Sequence, residues 1–129
     1  MSRAERYPFG APGEEWSNWS ARRRRSPRKF DVEVRPRLRE LWDAGDPLSK
    51  DNILAYLSSA TPEEGWDLVW EALNSEPADL LPDEQRWALQ GTAVIAAMRY
   101  VSRGHAVPDE QVERLRRCCL HRVRTRREA

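Results

Sequence analysis

The sequence lacks the long apolar segments that membrane insertion and secretion require. No run approaches 18 consecutive apolar residues, so the sequence predicts no transmembrane helix and no membrane partner. Residues 1–16 contain no apolar stretch of the kind found in secretory signals, so we expect no such signal there. The two cysteines, Cys118 and Cys119, are neighbours and cannot link distant parts of a fold, which favours a reducing compartment. These features predict a cytoplasmic protein.

Aliphatic side chains are scarce and lysine is nearly absent. Leu, Ile, Val and Phe provide 24 of the 129 residues, close to the ~20% level below which chains are often disordered. The six Trp and the net charge of only +1 oppose disorder, because tryptophan buries a large apolar area. The basic residues are 20 Arg and 2 Lys, a bias that indicates a bacterial or phage origin. The length is typical of a single domain.

Motifs for catalysis and metal binding are missing from the sequence. The two histidines, His105 and His121, and the adjacent cysteines are too few for a zinc site. The sequence has no Gly-rich phosphate loop, no Gly-x-Ser-x-Gly and no His-Glu-x-x-His. We therefore expect no metal, no cofactor and no enzymatic activity, although an enzyme with an unrecognised site remains a distant alternative. No motif identifies a family.

Residues 1–30 differ in composition from the rest of the chain. They are rich in proline, glycine and arginine but contain only two residues of the Leu, Ile, Val and Phe set, Phe9 and Phe30. Such a segment buries too little apolar surface to fold independently. Its spaced aromatic residues are typical of an arm that lies along another surface. We predict an extended basic-aromatic arm in which Trp16 and Trp19 are the best candidates for partner contacts.

Helical periodicity begins near residue 34, and no segment alternates with period two. The sequence predicts an all-α compact bundle of about five helices over residues 31–125, followed by a basic tail at 126–129. The first helix has Pro36 in its first turn and Gly45 at its end, and the second begins near Asp46 or Ser49. The third begins at the capping box Thr61-Pro62-Glu63-Glu64. The fourth begins at Leu81-Pro82-Asp83-Glu84 and ends at Gly104, and the fifth begins at Val107-Pro108-Asp109-Glu110.

The apolar stripes of the last three helices predict which side chains face the core. The third helix offers Trp66, Val69, Trp70 and Leu73. The fourth, at about 82–103, offers Trp87, Gly91, Val94, Ile95, Met98 and Val101, and its small residues Ala93, Ala96 and Ala97 would allow close approach of another helix. The fifth offers Val112, Leu115, Cys119 and Val123. We predict that these stripes, together with Trp42, form the core.

Charge is unevenly distributed along the chain. Residues 1–40 have a net charge of +5, residues 41–110 of −9 and residues 111–129 of +5. An acidic middle between basic ends can pair with itself, with a second copy or with other molecules, and composition leaves these alternatives open.

Two basic clusters predict contacts with a polyanion. The first is the run Arg22, Arg23, Arg24, Arg25, Arg28 and Lys29, and the second is the face Arg114, Arg117 and Arg124 of the last helix. Cations in such numbers can neutralise phosphates, and nearby tryptophans can stack on bases. The alternatives are a solvated surface or pairing with the chain's own acidic residues.

The third helix carries an acidic ridge, which consists of Glu63, Asp67 and Glu71 at four-residue spacing. Like charges at this spacing destabilise an isolated helix, so the ridge indicates a basic partner, which could be the chain's own arm. The preferred interpretation is a non-enzymatic protein–protein interaction module or small subunit of a bacterial or phage assembly, bound to a protein partner or to itself through the arm and the acidic ridge. The alternative is an RNA- or DNA-contacting accessory subunit that uses the basic clusters.

Overall fold

The structure is a computed structural model that describes residues 2–11, 17–74 and 83–116, with only the backbone at 83–90. Its helices are α1 (Arg3–Arg6), α2 (Trp19–Arg25), α3 (Pro27–Val34), α4 (Leu38–Ala44), α5 (Pro47–Ala60), α6 (Trp66–Asn74), α7 (Asp83–Ser102) and α8, which begins at residue 109 and is described to residue 116. Two 3-10 turns, Arg35–Arg37 and Glu63–Gly65, precede α4 and α6. No strand occurs in the described part of the chain, so the all-α prediction is confirmed.

Local signals place several helix ends where the sequence predicts them. Asp46 caps α5, since its Oδ1 accepts a hydrogen bond from the Ser49 backbone N–H at 2.9 Å. Pro47 follows at the first helical position, where the missing N–H costs nothing. Gly45 ends α4 in an extended conformation. The fourth predicted helix, at about 82–103, is α7, and the start of α8 follows Pro108.

The predicted capping box at Thr61 is wrong. Thr61 instead ends α5 in the left-handed region, with φ 42° and ψ 53°. Its hydroxyl accepts a hydrogen bond from Arg103 at 3.0 Å, and the Glu63–Gly65 turn that follows has no side-chain cap. Because Thr61 belongs to the end of α5, the Glu63–Gly65 turn supplies the entry to α6, which begins at Trp66.

The N-terminal segment is helical in large part and belongs to the core, where the sequence predicts an extended arm. Phe9 is 2% exposed and packs on the rings of Phe30 and Tyr56, with centroids 5.8 and 5.5 Å away. The Asn52 side chain donates a hydrogen bond to the Phe9 carbonyl at 3.0 Å. Arg37 Nη1 likewise donates to the Glu5 carbonyl at 2.8 Å. Two buried aromatic side chains of this segment, Phe9 and Phe30, and these polar ties outweigh the poor apolar content on which the arm prediction depends.

The centre of the molecule is α5, which packs on both α6 and α7 and makes its largest contact with α7. Its buried aliphatic and aromatic side chains are Ile53, Leu54, Tyr56 and Leu57. Around them lie Val34, Leu38 and Trp42 from the preceding elements and Leu68, Val69 and Ala72 from α6. Trp66 and Trp70 are half-buried against this core. In the described part of the chain, no helix is both long and apolar enough to cross a membrane.

Helix α7 buries a different face from the one the sequence predicts. Its buried residues are Ala93, Ala96, Ala97 and Tyr100. The prediction that Ile95, Met98 and Val101 face the core is wrong, because these side chains are 54%, 60% and 40% exposed. Small side chains face inward because α5 and α6 both pack against this helix, and close contact between helices favours alanine. The Trp87 side chain, Cys118, Cys119, Val123 and the basic tail lie outside the described residues.

Candidate functional site

Helices α2 and α3 fold against each other around the single non-helical residue Ser26. Arg22 Nη2 lies 3.3 Å from Glu33 Oε2, and Arg23 Nε lies 3.5 Å from Asp31 Oδ1. Each pair joins the last turn of α2 to α3. Two members of the basic run therefore hold the two helices together, while Arg24, Arg25, Arg28 and Lys29 are exposed to solvent.

A cleft of about 320 Å³ lies between α2 and α3. Its lining consists of Asn18, Arg22, Arg25, Ser26, Lys29, Phe30 and Glu33. Glu33 compensates the charge of Arg22, whose guanidinium also lies 5.6 Å from the centre of the Phe30 ring. Arg25 and Lys29 have no ion-pair partner within the described residues. The cleft therefore carries a positive charge that the described chain does not neutralise.

Trp19 begins α2 and packs against the core. Its Nε1 donates a hydrogen bond to Asn52 Oδ1 at 3.2 Å. Its ring lies 5.9 Å from Phe9 and 6.2 Å from Tyr56, measured between centroids. These contacts leave the side chain half-buried, so its role in partner binding stays a prediction. Trp16, the other tryptophan predicted to contact a partner, lies outside the described residues.

In the acidic ridge of Glu63, Asp67 and Glu71, Glu71 is paired with an arginine of α4. Arg39 Nη1 lies 2.6 Å from Glu71 Oε2, and the same guanidinium reaches Asp43 at 3.0 Å. Next to the ridge, Arg35 Nη2 donates to Glu64 Oε2 at 3.1 Å. Glu63 and Asp67 remain exposed. The chain's own arginines thus offset part of the repulsion that the sequence pattern implies.

The ionisation of these groups follows from their contacts. The hydrogen bond from Arg35 holds the pKa of Glu64 below its usual value, and the same bond raises the pKa of Arg35. Two buried tyrosines behave differently. Burial raises the pKa of Tyr56, with a further contribution from its 2.8 Å hydrogen bond to Asp31. Burial likewise raises the pKa of Tyr100, whose hydroxyl donates to the Pro62 carbonyl. These hydroxyl groups are therefore protonated, structural donors at neutral pH.

The basic face of the last helix is described only in part. The Arg114 guanidinium lies 5.7 Å from the centre of the Trp70 ring, in a cation–π contact. Nearby, Trp66 Nε1 donates to Gln111 Oε1 at 2.8 Å, which fixes α8 against α6. Arg117 and Arg124 lie outside the described residues. Arg114 thus packs on α6, and none of the contacts described for it joins it to the α2–α3 basic run.

The outer face of α7, which we define as Val94, Ile95, Met98 and Val101, carries three exposed apolar side chains beside the half-buried Val94, more exposed apolar side chains than any other helix among the described residues. Gly91 lies on the same side, one turn earlier, and a Cβ added there would meet nothing within 4 Å. Sequence reasoning found these residues but assigned them to the core. The signal that could have corrected the assignment is the second stripe, Ala93, Ala96, Ala97 and Tyr100, which has the same helical spacing.

Within the described residues, no group of three or more His, Cys, Asp or Glu side chains is arranged to hold a metal ion. Among the features that the described residues offer for binding are the cationic cleft, the outer face of α7 and the exposed acids of the ridge. Comparison of the chain with protein-family models, with curated proteins and with solved structures finds no significant match in any of the three.

Proposed function

We propose that this protein is a non-enzymatic protein–protein interaction module that acts through the outer face of α7. The observation that carries the proposal is the exposure of Ile95, Met98 and Val101, which occupy successive turns of the longest described helix. Contiguous apolar surface of this kind is typical of interaction sites, whereas single exposed apolar residues are common on any protein. The arginine bias and the adjacent cysteines support a place in the cytoplasm of a bacterial or phage system.

The N-terminal segment and the acidic ridge contribute less in this proposal than in the sequence interpretation. Phe9 and Trp19 of the N-terminal segment pack on the chain's own core. Glu71 of the ridge is paired with Arg39. A partner would have to displace these contacts before it could use the same groups, whereas the outer face of α7 is already exposed.

The occupant we propose for the outer face of α7 is a second copy of this chain. The net charge of +1 leaves almost no overall repulsion between copies. Two copies can meet across a twofold axis with their α7 helices antiparallel, so that the same apolar residues face one another. The open space at Gly91 allows the two backbones to approach closely. A helix of 20 residues is about 30 Å long, which gives such a contact several turns of length.

Sedimentation velocity across protein concentrations from ~1 to ~100 μM, a range that covers weak association, tests this assignment. We expect the parent chain to form dimers as its concentration rises, and Met98→Glu to stay monomeric because a buried, unpaired charge is costly. Val32→Glu is the matched control, since Val32 is 75% exposed on α3 and lies outside the outer face of α7. A parent chain that stays monomeric throughout, or equal loss of dimer in both variants, would overturn the proposal.

A second candidate function, contact with RNA or DNA as an accessory subunit, is supported by the exposed cations Arg24, Arg25, Arg28 and Lys29 on α2 and α3. Fluorescence anisotropy with a labelled single strand at several salt concentrations tests it. Binding should weaken with salt by about 0.7 log units per log unit for each phosphate neutralised. Failure to bind below ~100 μM at physiological salt, weaker than most non-specific sites, would exclude this function.

A further inference from the structure

We propose that the cleft between α2 and α3 is a binding site for a single dianionic phosphate monoester group. The proposal concerns a different surface from the outer face of α7, so it stands or falls independently of the interaction function. The phosphate can belong to a small ester or to the end of a nucleic-acid strand, and the experiment below distinguishes these sources.

The donors around the cleft support the proposal. Arg25 and Lys29 present two cationic groups, and Asn18 and Ser26 add an amide and a hydroxyl. None of these four side chains has a hydrogen-bond partner in the described part of the chain, and Ser26 leaves the start of α3 without a side-chain cap. Phosphate oxygens accept charge-assisted hydrogen bonds from such groups.

The charges in the cleft match a dianion. Of the four ionisable side chains in the lining, Arg22 and Glu33 neutralise each other across 3.3 Å. Arg25 and Lys29 remain, so the described residues of the lining have an excess of two positive charges. Several other arginines of the chain, including Arg23, Arg35 and Arg39, are paired with carboxylates. Arg25 and Lys29 differ from these arginines, because no described carboxylate pairs with them.

The shape of the cleft favours one phosphate with a small organic part. Its volume of about 320 Å³ lies at the lower end of the ~300–1,000 Å³ range of small-molecule pockets. Phe30 lines it with an apolar ring that is 3% exposed and held by Phe9 and Tyr56. The fixed guanidinium of Arg22 above this ring gives the cleft a preorganised wall, because its contacts to Glu33 and to the Ala4 carbonyl already hold it in place.

Isothermal titration calorimetry with inorganic phosphate and with adenosine 5′-monophosphate tests the site. The double variant Arg25→Gln/Lys29→Gln removes the two unpaired cations of the lining. The matched control is Arg24→Gln/Arg28→Gln, which removes the same charge at the same spacing from the same two helices but outside the lining. All four side chains are exposed, so both variants should fold, which circular dichroism and thermal melting would verify.

We expect the cleft variant to weaken binding of adenosine 5′-monophosphate by about tenfold or more, the loss expected for hydrogen bonds between charged groups. The control variant should change the affinity by less than about threefold, as expected for distant, screened charges. Equal losses in the two variants would overturn the proposal, because they would indicate a diffuse electrostatic surface. Absence of binding by both ligands at ~10 mM, far above the millimolar affinities of weak sites, would also overturn it.

Two oligonucleotides of one sequence, with a 5′-phosphate or a 5′-hydroxyl, identify the source of the group. Tighter binding of the phosphorylated strand, lost in the cleft variant alone, supports a strand end. Binding of adenosine 5′-monophosphate without discrimination between the strands supports a small ester. The affinity should rise between pH 5 and 7, because the second pKa of a phosphate monoester is about 6. The Met98→Glu variant should bind the ligand like the parent, which separates this result from the self-association test.

Discussion

Gly65 lies where three helices meet, in the 3-10 turn that leads into α6. A Cβ at this position would overlap with Leu57 Cδ2 of α5 and with the Tyr100 hydroxyl of α7. Both neighbours are fully buried and cannot move away without disturbing the core. We therefore predict that Gly65→Ala lowers the free energy of unfolding by about 1–3 kcal/mol, measured by chemical denaturation.

Gly91→Ala is the matched control for this substitution. A Cβ at Gly91 has open space around it, and the residue lies inside α7. Alanine should raise the free energy of unfolding by about 0.5–1 kcal/mol, because it restricts the unfolded chain and favours helix. If Gly65→Ala is as stable as Gly91→Ala, the close approach of α5 and α7 at the turn does not exist in solution.

The buried tyrosines predict a loss of stability at alkaline pH. In the folded state the pKa values of Tyr56 and Tyr100 are raised by burial, so both hydroxyls keep their protons when the unfolded chain loses them. The tyrosine contribution to the free energy of unfolding is therefore fully present below pH ~10. Above that pH the free energy of unfolding falls by up to ~1.4 kcal/mol per pH unit for each tyrosine. Urea denaturation between pH 8 and 11 should show this decline.

Tyr56→Phe separates the two contributions to this pH dependence. The variant loses the hydrogen bond to the Asp31 carboxylate, which costs about 1.5–3 kcal/mol at neutral pH, but the decline of its unfolding free energy above pH ~10 should be shallower than that of the parent. If the free energies of unfolding of parent and variant fall in parallel with pH, Tyr56 does not contribute to the alkaline loss of stability.

At the scale of elements, α6 and the 3-10 turn that precedes it are tied to the elements before α5 by exposed ion pairs. Arg35 and Glu64 form one such tie, and both side chains are nearly half-exposed. Exposed pairs are screened by water and salt, so we predict a coupling energy of only ~0.2–1 kcal/mol. A double-mutant cycle with Arg35→Gln and Glu64→Gln, measured at low and high salt, should show this coupling and its decrease with salt. A coupling above ~2 kcal/mol that persists at 1 M salt would mean that the pair is shielded from solvent.

The helices were predictable from the sequence to the extent that their signals are local. Asp46 and Gly45 act within one turn of the chain, and both mark helix ends as predicted. The face that α7 buries was not predictable, because two stripes of apolar residues share its helical period and only the neighbouring helices decide between them. The predicted helix cap at Thr61 is wrong for a related reason, since the Thr61 hydroxyl accepts a hydrogen bond from Arg103, which is distant in sequence.

The candidate site was predictable in composition but not in arrangement. The sequence identifies the run from Arg22 to Lys29, yet Arg22 and Arg23 act as ties to α3 while Arg25 and Lys29 line the cleft. That division depends on how α2 folds onto α3 at Ser26, which no residue in the run specifies by its type. The outer face of α7 was misassigned because exposure depends on packing that is set elsewhere in the chain.

At the scale of the whole molecule, the N-terminal segment is held by apolar packing more than by charge. We predict that Phe9→Ala lowers the free energy of unfolding by about 3–5 kcal/mol, the usual range for truncation of a buried phenylalanine. The loss should change little with salt, whereas docking of the segment on the acidic middle of the chain would weaken as salt rises. Tyr7→Ala is the control, because Tyr7 is 40% exposed, and its effect should stay within about 0.5 kcal/mol.

The position of Phe9 has a consequence for the order in which the molecule assembles. A chain emerges from the ribosome beginning at its N-terminus, so Phe9 reaches solvent before Phe30 and Tyr56, the residues that it packs against, have emerged. Residues 2–11 therefore dock late, after the core residues that they contact have emerged and folded. A protein fused to the N-terminus would act directly on the aromatic centre of the fold, whereas fusion to a terminus that does not pack on the core would leave that centre undisturbed.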